Sequence, residues 1–269
     1  MSPRTEATYT HGHHESVLRS HRWRTKENSA AYLLPHLRPE DRLLDVGAGP
    51  GTLTADLASV VSSVTATEIG ETELDLSRRT AAERGLTNIE FRTADVHGLP
   101  FPDDWFDVVH AHQVLQHVGD PVRALQELAR VTRPGGIVAV RDSDYAGFCW
   151  WPLIPGLDEW LALYRTAAIS NGGQPDAGRR LLSWAHDAGL EQVVASSSTW
   201  CFASAPERLW WGEMWAARVT GSALATQVLT QGLATANDLA RIGDAWRAWT
   251  ATRDGWFSVL HGEILCTVP

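Results

Sequence analysis

The sequence predicts an α/β protein built on a doubly wound, mainly parallel sheet. From about residue 42 to residue 144, short apolar segments typical of buried strands alternate with helical segments, the order that a parallel sheet with crossover helices requires. The segment Leu43-Leu44-Asp45-Val46 runs into a turn with glycines at positions 47, 49 and 51, and helical character follows. A chain of 269 residues with 44% hydrophobic content is long enough for one large domain of this kind.

Periodicity and turn signals predict the other elements. Residues 27–37 predict a helix that ends near Pro39, and residues 74–84 predict one that ends at Gly85. A third helix begins at Asp120-Pro121 and is broken by the glycines at 135 and 136. Further strands are predicted at residues 64–69, 89–95, 137–140, 192–202 and 256–268.

Asp45 precedes the glycine turn and restricts the classes of ligand that the turn can bind. Glycines at alternate positions allow a tight turn and the close approach of a ligand, a feature shared by nucleotide-binding doubly wound folds. A dinucleotide would bring its negative pyrophosphate close to Asp45 at a Coulomb cost. A nucleoside ligand with positive charge and no phosphate is therefore favoured, and a tight turn without any ligand is the alternative.

S-adenosylmethionine is such a ligand, because it combines an adenosine with a sulfonium and an ammonium. Residues 45–51, Asp-Val-Gly-Ala-Gly-Pro-Gly, resemble the first motif of the class I S-adenosylmethionine-dependent methyltransferases. The resemblance runs from about residue 28 to residue 144, and it is closest to the branch of ubiquinone/menaquinone-pathway C-methyltransferases and bacterial natural-product methyltransferases. It implies a Rossmann-like, seven-stranded sheet with a terminal antiparallel strand, and S-adenosylhomocysteine as the cofactor product.

Acids at the ends of two predicted strands extend the candidate cofactor site. Glu68 lies twenty-one positions after Gly47, where a carboxylate can accept both ribose hydroxyls. The resemblance implies that Asp95 receives the adenine amino group and that Arg24 grips the cofactor carboxylate, although Arg24 on a solvated helix face is the alternative. The predicted cofactor-binding residues are Arg24, Asp45, Gly47, Ala48, Gly49, Glu68, Asp95, Val96, Ala111 and His112.

The acceptor side offers titratable side chains without a fixed motif. In the resembled family the N-terminal segment folds across the mouth of the cofactor pocket, which would bring Tyr9, His13 and His14 close to His117. We predict His14 and His117 as base or substrate orienter and Tyr9 as a hydrogen-bond donor in the lid. The alternatives are a solvated His14 and a helix-capping His117. Three close histidines could also suggest a metal, but no cysteine or carboxylate cluster completes a site, so no metal is expected.

The whole chain, residues 1–269, is expected to form a single domain with three parts. Residues 1–40 form an N-terminal helical lid, residues 41–145 the cofactor-binding core, and residues 146–269 a substrate-side half with a helical insertion at about 205–252. Eleven of the thirteen tryptophans lie from Trp150 onward. Periodicity places some of them in the core, and the pairs at 150–151 and 210–211, with Trp215, suggest an aromatic-lined cavity.

Composition restricts the function classes. A formal net charge of -9 and a pI of about 5.6 argue against a nucleic-acid partner and favour a small molecule. We expect a cytoplasmic protein without a membrane association, because no apolar run approaches the length of a membrane span and residues 1–20 are too polar for a signal peptide. Three cysteines without metal spacing predict free thiols. A single lysine, Lys26, against 22 arginines indicates a GC-rich, bacterial genome.

These observations together predict an enzyme that methylates a small, apolar or aromatic metabolite on carbon or oxygen, in secondary or quinone-type metabolism. One alternative is an arsenite methyltransferase, which resembles the same branch, but the cysteines of this chain are few and none follows the first predicted strand. A second is a cofactor-binding protein that keeps the fold without turnover. The identity of the acceptor and the oligomeric state are not encoded in any motif that we recognise.

Overall fold

The computed structural model describes residues 15–269, which form an α/β domain with a helical insertion. In chain order the elements are α1 (Glu15–Arg22), α2 (Lys26–Ser29), β1 (Arg42–Val46), α3 (Thr52–Ala58), β2 (Ser63–Glu68), α4 (Glu71–Glu83), β3 (Ile89–Thr93), β4 (Phe106–His112), α5 (Pro121–Val131), β5 (Thr132–Ser143), β6 (Cys149–Trp151), α6 (Pro155–Ser170), α7 (Leu181–Asp187), β7 (Gln192–Phe202), α8 (Ala205–Gly221), α9 (Ala223–Thr230), α10 (Ala236–Ala251) and β8 (Trp256–Thr267).

The sheet has the doubly wound order that the sequence predicts. Its strands lie in the order β3-β2-β1-β4-β5-β8-β7, and β1 to β5 pair in parallel. The terminal strand β8 runs antiparallel to both β5 and β7, which confirms the predicted seven-stranded arrangement. The strand order reverses between β1 and β4, and ligands of open α/β sheets bind at such a point.

The glycine turn after β1 takes a backbone conformation that only glycine adopts without strain. Gly47 has a φ of +73°, and a Cβ built on it would lie 2.6 Å from Cγ2 of Val114. Gly51 has a φ of +78° and lies against the backbone of Ser77 in α4. The turn therefore depends on glycine for both its left-handed conformation and its close contacts with the loop after β4 and with α4.

Two local predictions differ from the structure. The predicted helix at residues 27–37 is only the short α2, which ends at Ser29 and is followed by a turn and one 3-10 turn at Leu34–His36. Pro35 lacks the amide that a longer helix would need and disfavours helical geometry at Leu34. The short strand β6 has no signal in the sequence, and it pairs with Trp256, Phe257 and Ser258 of β8 beyond the end of β5.

The predicted insertion between the last two strands is present as α8, α9 and α10. A capping box of Ser204 and Glu207 starts α8, and another of Thr235 and Asp238 starts α10. These helices pack on α6 and on the ends of β6, β7 and β8 through a core rich in tryptophan. Within that core Trp160 packs edge to face on Trp215 and Trp246, with ring centroids 4.5 and 4.9 Å apart.

Replacing Trp246 with alanine is expected to destabilise the protein strongly. Trp246 is fully buried between Trp160, Trp215 and Phe257, and truncating such a side chain costs about 3–5 kcal/mol. Urea unfolding of Trp246→Ala should show this loss of free energy. Trp105→Ala is the control, because Trp105 is half exposed and lies against Arg42. Equal losses in the two variants would contradict this account of the core.

Candidate active site

A cavity of about 560 Å³ opens at the carboxyl ends of the central strands. One end is formed by the glycine turn after β1 and by the residues that follow β2 and β3, and the other end by aromatic side chains from β7, α8 and the segment after β5. Of the predicted site residues, those whose side chain or backbone lines this cavity are Arg24, Gly47, Gly49, Glu68, Asp95, Val96, His112 and His117. The structure thus brings most of the predicted residues to one continuous space.

Glu68 lies between the glycine turn and the cavity. Its Oε1 accepts a hydrogen bond of 2.7 Å from the amide of Gly49, and its Oε2 accepts one of 3.2 Å from the amide of Ile69. Burial raises the pKa of the Glu68 carboxyl above its usual value, against the lowering effect of these two amides. Each oxygen keeps acceptor capacity beyond its amide bond, so the carboxylate can receive hydroxyl groups of a ligand in the cavity.

Asp95 lies beyond the end of β3 and is more exposed than Glu68. Its Oδ1 accepts hydrogen bonds from the amide of His97 at 2.9 Å and from the His97 ring at 2.8 Å. Partial burial acts to raise the pKa of this carboxyl, but the bonds from His97 outweigh it and the pKa is lowered. Val96 is buried beside it and lines the cavity.

Asp45, Ala48 and Ala111 lie outside the lining of the main cavity. Asp45 is buried, and its two carboxylate oxygens accept from Thr54 Oγ1 at 2.6 Å and contact His110 Nδ1 at 2.8 Å. Asp45 and Ala48 border an adjoining cavity of about 10 Å³, which is close to the space of one water molecule. Ala111 is fully buried in β4. Any contact of Asp45 with a ligand would therefore pass through the backbone or through a bridging water.

Gln113 was not anticipated from the sequence, and it connects three parts of the chain. It follows β4 in a left-handed conformation with a φ of 56°. Its side-chain amide donates to Ser143 Oγ at 2.8 Å and contacts His261 Nε2 at 2.9 Å, and its carbonyl accepts from Arg24 Nη2 at 2.5 Å. Arg24 is thereby held at the cavity on the side of the glycine turn.

His112 is buried, and neither of its ring nitrogens has a hydrogen-bond partner within the described part of the chain. The ring stacks between His110 and His261, at centroid distances of 6.4 and 6.2 Å. Burial, reinforced by the positive charges of Arg24 and Arg141, lowers the pKa of His112 well below its usual value. The ring is therefore neutral near pH 7, and both nitrogens are left for a ligand or water.

His117 lies at the cavity, and the other predicted acceptor-side residues lie outside the described residues. Gln116 Nε2 lies 2.9 Å from His117 Nε2, and burial, together with the charge of Arg24, lowers the pKa of His117 to about 3. The amide of Gln116 can then donate to a neutral ring whose proton is on Nδ1. Tyr9, His13 and His14 precede residue 15, so their predicted roles stay predictions.

Aromatic side chains form the far end of the cavity, as the clustered tryptophans suggested, but not all of the expected ones take part. Trp211 and Trp215 of α8 line it, together with Trp200, Tyr145 and Phe148. Trp150 instead stacks on Phe257 in the core, and Trp151 is half exposed. Trp210 packs on Trp23 at a centroid distance of 5.6 Å.

Comparison with known proteins identifies the family of this chain. Residues 44–140 match the family model described as a methyltransferase domain. The chain is 36% identical to the uncharacterized methyltransferase C1B3.06c of Schizosaccharomyces pombe, over 98% of this chain and 97% of that protein. The chain belongs to the class I S-adenosylmethionine-dependent methyltransferases.

Two further comparisons place this methyltransferase among its relatives. It is 36% identical to the ubiquinone/menaquinone biosynthesis C-methyltransferase UbiE of Vibrio parahaemolyticus, over 58% of this chain and 66% of that protein. The crystal structure of YcgJ from Bacillus subtilis superposes with a TM-score of 0.57 at 20% identity, over 94% of this chain and 98% of that one. The second comparison confirms the fold.

The methyltransferase cavity has the features that S-adenosylmethionine requires. Gly47 and Gly49 of the glycine turn line it, Glu68 presents a partly buried carboxylate, and His112 presents buried ring nitrogens without a protein partner in the described chain. Among the described residues no group of histidine, cysteine and acidic side chains could hold a metal ion. Across residues 15–269 no helix has both the length and the apolar character that crossing a membrane requires.

Nuclear magnetic resonance should show that His112, His117 and His261 remain neutral from pH 8 to pH 5. Burial, with nearby arginine charges, lowers the pKa of all three below the ordinary value. His261 fits this state, since Nδ1 can donate to the carbonyl of Val259 at 3.1 Å while Nε2 accepts from Gln113. A titration midpoint above pH 5 for any of the three would contradict the assignment.

The same shift makes stability depend on pH in a defined direction. A histidine with a lowered pKa in the folded state stabilises the fold above about pH 6.5, and this contribution is lost as the pH falls towards the folded value. Asp142, whose pKa burial raises to about 7, acts in the opposite direction. When the pH is lowered from 6 to 5, the free energy of unfolding of the wild type should fall because only the unfolded state protonates His117. In His117→Gln this fall should be smaller by about 1.4 kcal/mol per pH unit. Equal slopes in urea titrations would refute it.

Proposed function

We propose that this enzyme transfers a methyl group from S-adenosylmethionine to a small aromatic or apolar metabolite, on carbon or oxygen. The observation that carries the proposal is the single cavity of about 560 Å³, which joins the glycine turn and Glu68 to an aromatic end at Trp211 and Trp215. Such a cavity can hold a nucleoside cofactor and an apolar acceptor side by side. The UbiE relative is named for ubiquinone/menaquinone biosynthesis, and quinone-type acceptors have this chemistry.

The proposed cofactor site uses residues at the nucleoside end. Glu68 accepts the ribose hydroxyls, Asp95 and Val96 contact the adenine, and the backbone at Gly47 and Gly49 lies against the ligand. Arg24 binds the cofactor carboxylate from the position that Gln113 gives it. His112 completes the set with its unpartnered ring nitrogens.

The contribution of the protein to the transfer is chiefly positioning and exclusion of water. Bound S-adenosylmethionine supplies a methyl group on an electrophilic sulfonium. Buried rings at the far end, Phe148, Trp211 and Trp215, can hold an acceptor beside that group without water. The cavity therefore holds the acceptor and the methyl group in a fixed relative orientation, so that they need not meet by diffusion.

His117 is better suited to orient the acceptor than to act as its base. A base is most effective when its pKa lies near the working pH, and the pKa of His117 is about 3. The neutral ring can still exchange hydrogen bonds with a polar group of the acceptor. His14 therefore remains our proposal for the base, with Tyr9 as a hydrogen-bond donor in the lid.

The positions of the cysteines disfavour an arsenite acceptor. Cys149 and Cys201 are exposed on strands, and Cys266 is buried in the core. None of the three lines the cavity. Thiolate ligands for arsenic are thus missing from the described site, while aromatic surfaces are abundant.

Glu68→Ala is expected to weaken S-adenosylhomocysteine binding by about 1–3 kcal/mol, because hydroxyls of the ligand lose a charged acceptor. Asp95→Ala should change the affinity in the same direction. Isothermal titration calorimetry measures both, with Glu71→Ala as the control because Glu71 pairs with Arg78 on the surface. Wild-type affinity in both site variants would remove these carboxylates from the cofactor site, and tight binding of NAD instead of S-adenosylhomocysteine would overturn the proposal.

Turnover should appear with aromatic acceptors and should be absent with small acceptors that lack an apolar ring. The purified enzyme is incubated with S-adenosylmethionine and a panel of phenols, quinols, aromatic acids, small aliphatic amines and arsenite, and formation of S-adenosylhomocysteine is followed. Product formed with one or more aromatic compounds supports the proposal. Turnover confined to amines or arsenite would contradict it.

A further inference from the structure

Ser143 brings a buried hydroxyl group to the wall of the large cavity. It is the last residue of β5 and is 2% exposed, and it lines the cavity just before the chain continues to Tyr145 and Phe148. Strand β4 lies between β5 and β1, so two strand spacings of together about 10 Å separate the ends of β5 and β1. Ser143 therefore lies on the side of the cavity away from the glycine turn.

Arg24 determines the direction of the hydrogen bond between Gln113 and Ser143. A guanidinium can only donate hydrogen bonds, so the Gln113 atom that contacts Arg24 Nη2 is the carbonyl oxygen Oε1. The amide nitrogen of Gln113 is then the donor to Ser143 Oγ at 2.8 Å. Ser143 is therefore the acceptor in this bond, and its own hydroxyl hydrogen is not used in it.

The hydroxyl hydrogen of Ser143 is a buried donor that the described chain does not use. Within residues 15–269 this hydroxyl forms one hydrogen bond, the one that it accepts from Gln113. The backbone amide of Ser143 has a different partner, Gln116 Oε1 at 3.2 Å. A buried donor without an acceptor costs free energy, so a ligand that displaces water from this part of the cavity binds better if it supplies an acceptor atom.

The methyl acceptor is the ligand that this geometry places beside Ser143. In the proposed site the nucleoside of the cofactor lies at Glu68, on the far side of β1 from β5. The cavity wall on the side of Ser143 includes the rings of Phe148 and Trp211, which favour a flat apolar ligand. An aromatic ring that bears an oxygen atom matches both these rings and the donor of Ser143.

We propose that the hydroxyl of Ser143 donates a hydrogen bond to an oxygen atom on the ring of the methyl acceptor. The inference rests on the proposed function, since it concerns the acceptor that occupies the same cavity. It makes Ser143 a specificity-determining residue. An aromatic hydrocarbon of the same shape would leave the donor unpaired, and a site built around such a bond discriminates against ligands that lack the bonding atom.

The test compares 2-naphthol with naphthalene, which share one ring system and differ by one oxygen atom. Equilibrium dialysis at neutral pH uses the full-length protein saturated with S-adenosylhomocysteine. Naphthol should bind about tenfold or more tightly than naphthalene, the scale of a buried donor left unpaired. Equal affinity, or failure of both probes to bind, would overturn the inference. Absence of S-adenosylhomocysteine binding would instead contradict the proposed function.

Variants then assign the preference to Ser143. Ser143→Ala should reduce the preference for naphthol to less than about threefold. Ser143→Cys keeps a side chain of similar size with a weak donor, so it should also lose most of the preference, and it serves if the alanine variant does not fold. Both variants should keep S-adenosylhomocysteine affinity within about threefold of wild type, because Gln113 keeps its bond to Arg24.

Ser196→Ala is the matched control for the loss of a serine hydroxyl. Ser196 Oγ donates to Glu263 Oε2 at 2.8 Å, and neither residue lines the cavity. The control should keep the full preference for naphthol. An undiminished preference in Ser143→Ala or Ser143→Cys would overturn the inference. A loss of S-adenosylhomocysteine affinity of more than about tenfold in these variants, without such a loss in the control, would also overturn it, because the hydroxyl would then serve the cofactor.

Discussion

The hydrogen-bonded amide of Gln113 is the interaction on which the geometry of the site depends. Its two amide hydrogens reach Ser143 at the end of β5 and His261 of β8, and its oxygen accepts from Arg24 before β1. A left-handed backbone at a non-glycine residue costs free energy of about 1–2 kcal/mol, which these bonds offset. One side chain thereby fixes the N-terminal arginine, the central sheet and the terminal strand relative to one another.

The same network fits the neutral state of the histidines near it. His261 accepts the Gln113 amide on Nε2, which requires that nitrogen to be unprotonated. Burial is the main cause of the lowered pKa of His112 and His261, and the positive charges of Arg24 and Arg141 add to it. A cofactor with a sulfonium is itself cationic, so charged imidazoles beside it would repel it. Neutral rings leave the carboxylates near the nucleoside end as the electrostatic attraction for the cofactor.

The sequence predicted the features that follow from local spacing and missed those that depend on distant partners. The first strand, the glycine turn and Glu68 could be located from the sequence because β1 and β2 are parallel neighbours. The turn after β1 and Glu68 at the end of β2 therefore lie at the same edge of the sheet. The role of Gln113 could not be predicted, because its partner His261 is 148 positions away along the chain and its left-handed backbone conformation does not follow from its residue type. Trp150 and Trp211 look alike in sequence, and only packing assigns the first to the core and the second to the cavity.

Trp215 belongs to both the tryptophan-rich core of the insertion and the cavity wall, and this double role limits how the specificity of the enzyme can change. Its ring packs on Trp160 at 4.5 Å and carries the guanidinium of Arg218. Truncating Trp215 would enlarge the cavity but would also cost about 3–5 kcal/mol of stability. A change of specificity through Trp215 is therefore limited by the stability that the insertion would lose with it.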